Sequence, residues 1–171
     1  MLRIKGLLAA AVGSLALVAC NATTTAPATS AQEALAEVSA RNIAFPKYPQ
    51  PGKTYLSFSG AHGYQVNYIA AGGKAWLWYP GNSRGVPEEY KQDVVRDTKA
   101  LCWRHPSKSY NPVTKQSGGR FACQSLETAR KTVVAELSGD PFQLATGKVP
   151  YPLKRCTAPD AFVFDRDRFG C

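Results

Sequence analysis

The sequence predicts an α+β domain, a small antiparallel β-sheet with two short helices, stabilised by disulfides. Three observations predict it. Alternating apolar and polar runs ("TYLSFS", "YQVNYIAA", "KAWLWYP") are separated by glycine-rich turns between residues 54 and 80. Ser30 and Ser125 stand where helix N-caps are expected. Once Cys20 is set aside, Cys102, Cys123, Cys156 and Cys171 form an even set suited to disulfides.

The chain opens with the basic start Met-Leu-Arg-Ile-Lys, then an uncharged run from Gly6 to Val18 before Ala19-Cys20. Thirteen residues make about 20 Å of helix, too short for a bilayer core of about 30 Å. The layout is that of a removed secretory signal over residues 1–19. Leu17-Val18-Ala19-Cys20 resembles the lipobox of bacterial lipoproteins. That resemblance implies cleavage before Cys20, acylation of its thiol and anchoring to a membrane by lipid. Asn21 follows where an aspartate would resemble an inner-membrane retention signal, so the outer membrane, facing the periplasm, is the expected site.

Removing residues 1–19 takes away Arg3 and Lys5 and no acid, leaving 19 basic and 12 acidic side chains, a net of +7. An exported chain rarely meets nucleic acid, so anionic envelope surfaces are the expected partners, lipopolysaccharide or other envelope glycan among them. An envelope protein partner is also expected.

Residues 20–30, "CNATTTAPATS", read as a flexible tether. Ser30 and Glu33 have capping-box spacing, predicting a helix from Ala31 to Arg41 with Leu35 and Val38 as its apolar stripe. Residues 43–53, with three prolines, are expected to run extended over the surface, completing a 31–53 preface to a single domain at 54–171.

Gly72-Gly73 predicts a hairpin, because both central positions of its turn need positive φ. With those two as the whole loop, Tyr68 faces Leu77 and Val66 faces Tyr79 on a core side. Gln65, Asn67, Trp76 and Trp78 then share the other side. Two indoles beside two amides suit a sugar ring and its hydroxyls, unless a helix or the proline-rich tail covers them.

"EEYKQDVV", "ALCWRH" and "GRFACQSL" predict further strands, the first with a helical alternative. The intervening "HPSKSYNPVTKQSGGR" is longer than a connection needs. Its Lys108, Tyr110, Lys115 and Arg120 form a second candidate site, suited to phosphate or carboxylate. Ser125 is expected to cap a helix reaching about Leu137, ended by Gly139, and the tail from Asp140 is expected to be irregular. Four cysteines allow three pairings; Cys102 with Cys123 and Cys156 with Cys171 close the smallest loops.

Gly81-Asn82-Ser83-Arg84-Gly85 matches the nucleophile-elbow pattern, with His105 later in the chain. The elbow needs a strand running into a helix atop a parallel sheet, and Pro87 with antiparallel surroundings predicts a plain turn instead. His62 and His105 are the only histidines, each without metal-ligand spacing around it, so no metal or cofactor is expected. His62 reads as a turn residue.

The run "WLWYPGN", then "CWRH", then "YNPVTKQSGGRFAC" is similar to short uncharacterised envelope proteins of Gram-negative bacteria. The resemblance spans residues 64–124 and implies a shared fold and a Cys102–Cys123 bridge. The expected role is therefore non-catalytic: binding of glycan or an anionic envelope component, or envelope assembly. A cell-wall hydrolase using Ser83 and His105 is the alternative. Inhibition of a host or rival enzyme is a third, disfavoured for a cationic target by the net charge.

Overall fold

The computed structural model describes residues 31–111 and 113–169. In chain order it contains α1 (Ala31–Ser39), β1 (Lys53–Ser59), β2 (Gly63–Ile69), β3 (Lys74–Trp78), β4 (Val86–Val95), β5 (Thr98–Arg104), β6 (Tyr110–Asn111), β7 (Gln116–Ser117), β8 (Ala122–Ser125), α2 (Leu126–Thr132) and β9 (Val133–Ser138). Seven strands form one curled antiparallel sheet in the order β8-β5-β4-β3-β2-β1-β9, while β6 and β7 make a separate ribbon. The helices are short, so the fold is mainly β rather than α+β.

The β2–β3 hairpin is present, and its register differs from the expectation by one residue. Val66 pairs with Trp78, Asn67 with Leu77, Tyr68 with Trp76 and Ile69 with Ala75. The amide of Ala70 donates to Lys74 O at 2.9 Å, so the loop holds four residues with Gly72 and Gly73 last, at φ of 70° and 73°. A one-residue slip moves every side chain to the opposite face. The observed register puts Trp76 and Trp78 beside Tyr68 and Val66 on a packed side, where aromatic area is removed from water. Gln65 and Asn67 face the other way.

Two cores result, one on each side of the sheet. The first joins Leu56, Phe58, Tyr64, Val66 and Trp78 to Leu144, Leu153 and Phe162 of the irregular tail, as a lid over that face. Trp78 is fully buried, its ring 5.5 Å from Phe142 and 5.0 Å from Tyr151. The second joins Tyr55, Ile69, Ala75 and Leu101 to Leu126 and Ala129 of α2.

Three further expectations are corrected. The second helix stops at Thr132, and Val133–Ser138 becomes β9 on β1, with Thr54 opposite Leu137 and Leu56 opposite Ala135. The β-branched run Thr132-Val133-Val134 favours the strand, and β1 has an open edge there. In α1 the buried positions are Ala34 and Val38, while Leu35 is 54% exposed. The proline-rich segment turns rather than extending, and it buries Tyr48 edge-on against Tyr55 at 4.8 Å. Ser125 caps α2 as expected, its Oγ accepting from the Thr128 amide at 3.0 Å.

Candidate functional site

Cys102 and Cys123 lie directly opposite one another on β5 and β8 and are bridged. The loop they enclose folds back on itself as a flap. Gly119 N donates to His105 O at 2.9 Å, Gly118 N to Ser109 O at 2.9 Å and Ser109 N to Pro106 O at 2.9 Å. Asn111 Oδ1 accepts from the amides of Val113 and Thr114 at 2.9 and 3.2 Å, turning the chain between β6 and β7. At Gly118 a Cβ would stand 2.1 Å from Pro106 O, so only glycine lets the two backbones close the flap's root.

Between this flap and the sheet lies a cavity of about 380 Å³. Gln65, Leu77 and Val86 line it from the sheet, with Tyr79 and Pro80 from the turn after β3. Tyr110, Asn111 and Thr114 line it from the flap. Its charged or ionisable nitrogen groups are His62, His105, Arg120 and Arg155, and no acidic residue lines it. An apolar wall with a few convergent polar groups is the usual form of a small-ligand site.

Local structure orients each of these groups. His62 sits on the β1–β2 turn, where Ser59 Oγ accepts from its amide at 3.2 Å and lies 3.3 Å from its Nδ1. Burial pushes the His62 imidazole below the ordinary histidine range, and the charge of Arg155 adds to that. Arg155 also donates from Nη2 to Gly60 O, which ties the tail to the same turn.

His105 follows β5 and places Nδ1 2.7 Å from Glu88 Oε1. The Glu88 side chain is 2% exposed, and its other oxygen accepts from Asn67 Nδ2 at 3.0 Å. Burial pushes the Glu88 carboxyl up, against the His105 hydrogen bond and charge, and the hydrogen bond to Glu88 holds His105 above the ordinary histidine range. Each member of the pair therefore holds its proton to a higher pH than it would in water.

Of the residues predicted to form sites, the cavity gathers Gln65, His105, Tyr110 and Arg120. Asn67 lies beneath it as the second partner of Glu88. Lys108 and Lys115 are exposed and line no part of it. Trp78 is core. Trp76, stacked on Tyr68 with ring centres 6.0 Å apart, borders a second, open groove with Lys74, Pro87, Glu89 and Arg104, and His105 lines both this groove and the cavity. Ser83 is exposed on the turn between two antiparallel strands and does not line the cavity, so the elbow geometry is absent.

Glu88, Arg155 and Tyr79 are missing from the sequence-based sites. Alternation along β4 could have paired Glu88 with an inward face, but only with the register in hand. No local signal marks Arg155, which arrives from the tail. The predicted Cys20 and the bridge from Cys156 to Cys171 end on residues outside those described. Among the described residues no three histidine, cysteine or carboxylate side chains gather as a metal site, and no helix is long and apolar enough to cross a membrane. Comparison with protein-family models, with curated proteins and with solved structures finds no match.

Proposed function

We propose that the chain is an outer-membrane lipoprotein that captures an anionic component of the bacterial envelope, a phosphate- or carboxylate-bearing glycan, in the cavity under the flap. The lipid anchor rests on the signal-like start and the Leu-Val-Ala-Cys tetrapeptide. The ligand class rests on one observation: Arg120, Arg155, His62 and His105 line a single cavity with no carboxylate among its lining residues. Guanidinium groups bind such oxyanions by charge-assisted hydrogen bonds. Leu77, Val86, Tyr79 and Pro80 offer the apolar wall against which a sugar ring packs, while Gln65 and Asn111 supply amides for hydroxyls.

Calorimetric titration with an envelope oligosaccharide before and after removal of its phosphate groups tests this reading. Phosphate-dependent binding should weaken at least tenfold in Arg120→Ala, about 1.4 kcal/mol, and be unchanged in Lys108→Ala. Equal binding of both oligosaccharides, or loss in Lys108→Ala alone, would place recognition elsewhere. The flap residues make the cavity dependent on the Cys102–Cys123 bridge, which fits an oxidising compartment.

A further inference from the structure

The only two histidines of the chain, on different turns and far apart in sequence, line the same cavity together with two arginines. A binding pocket for an oxyanion needs the arginines. It does not need two imidazoles of opposite character. We infer that this cavity cleaves a phosphodiester, with His62 as general base and His105 as general acid; the inference rests on the anion-binding reading above and extends it from capture to turnover.

The geometry supports separate roles. Ser59 occupies Nδ1 of His62, and Glu88 occupies Nδ1 of His105, so Nε2 is the nitrogen each ring has left for a ligand. His62 is faced by Ser59 and by the positive Arg155, which favours the neutral ring that a base requires. His105 is faced by Glu88, itself held by Asn67, which favours the imidazolium that an acid requires. Environments that push two titratable groups apart are how acid and base are assigned on one protein. Among the described residues neither Nε2 holds a serine or cysteine, and the Ser109 hydroxyl is committed to Pro106 O at 2.7 Å. Thr114 and Ser117 also line the cavity, but neither hydroxyl is hydrogen-bonded to an imidazole. Water is therefore assigned as the nucleophile, and phosphorus rather than an acyl carbon is the centre that two arginines suit.

The step balances with water as the one co-reactant. As the water oxygen attacks phosphorus, its proton passes to Nε2 of neutral His62. The bond from phosphorus to the leaving oxygen breaks, and that oxygen takes the proton from Nε2 of the His105 imidazolium. The products are a phosphate monoester and an alcohol. Arg120 and Arg155 face the extra negative charge that develops on the phosphoryl oxygens. His62 then gives its proton to solvent and His105 regains one, which restores the starting state without any change of oxidation state.

The experiment uses the full chain with its disulfides intact and the dialkyl phosphodiester glycerophosphocholine as substrate, whose poor leaving group needs the proton, with the phosphate monoester product followed by phosphorus NMR from pH 4 to 9. Turnover should be bell-shaped in pH. It should fall at least 100-fold in His62→Gln and in His105→Gln, since a positioned acid or base contributes about 10²- to 10⁴-fold. Glu88→Gln should keep the acid limb in place and move the alkaline limb to lower pH, a change that loss of packing alone would not produce. Circular dichroism checks that each variant is folded, and Lys108→Ala should match the parent rate. No turnover by protein that still binds the phosphorylated oligosaccharide through Arg120 would overturn the catalytic inference and leave the binding reading standing. Turnover that survives both histidine variants would also overturn it. Absence of both binding and turnover would remove both readings.

Discussion

Replacing Glu88 by glutamine should abolish most of the pH dependence of stability above pH 6.5. Both members of the Glu88–His105 pair hold their proton more tightly when folded than when unfolded, Glu88 through burial and His105 through its hydrogen bond to Glu88. The folded state therefore binds more protons, and stability must fall as pH rises from the unfolded values toward the folded ones. For Glu88 this decline starts at its ordinary value of 4.5, and for His105 at 6.5. His62 acts with the opposite sign: its lowered folded value removes stability only as pH falls below 6.5, so the window above 6.5 isolates the pair. Each whole proton retained there changes stability by about 1.4 kcal/mol per pH unit. Glutamine preserves the shape and an acceptor for His105 at 2.7 Å, so Glu88→Gln should cost about 1–2 kcal/mol near pH 6, the gap between a charged and a neutral hydrogen bond. Glu88→Ala leaves His105 and Asn67 without their shared partner and should cost about 3–5 kcal/mol. Urea unfolding at unit pH steps from 5 to 9, followed by tryptophan emission, measures both quantities. A parent stability that rises between pH 6.5 and 8.5, or an equal slope in Glu88→Gln, would refute this account of the pair.

Trp78→Ala should destabilise by about 3–5 kcal/mol, because it empties the fully buried site between the sheet and Phe142 and Tyr151. Trp78→Phe should cost less, since the buried Nε1 has no hydrogen-bond partner to lose; urea midpoints of the two variants separate these cases. Gly118→Ala should open the root of the flap, where its Cβ would stand 2.1 Å from Pro106 O, and lower affinity for the phosphorylated oligosaccharide while the urea midpoint stays near that of the parent. A Gly118→Ala protein with parental affinity would show that the flap does not shape the site.

Much of the local structure was legible in the chain. Gly72 and Gly73 mark a turn because both adopt positive φ, Ser125 offers its hydroxyl to a helix N-terminus, and Cys102 and Cys123 bridge neighbouring strands. The register of β2 on β3 was not, because "KAWLWY" is apolar on both alternating sets. Trp76 and Trp78 or Leu77 and Tyr79 could each have been the packed side. The stretch Val133–Ser138 was ambiguous for a related reason: its apolar spacing fits a helix end or a strand, and the free edge of β1 decides.

The candidate site shows the same division. Gln65, Tyr110 and Arg120 were singled out in the sequence by their polar or charged chemistry, but their company was not. His62, His105 and Arg155 meet only because the β1–β2 turn, the end of β5 and the tail converge beneath the flap. The sequence by itself determined where the β2–β3 turn falls and that Ser125 caps a helix, since these depend on φ preferences and hydrogen bonds a few residues long. Only the tertiary structure decided which side of each strand is buried, that Trp78 is core, and that two lone histidines share one cavity. Strand facing is a choice of parity, made by the total apolar area buried when distant segments pack, and no local window contains that sum.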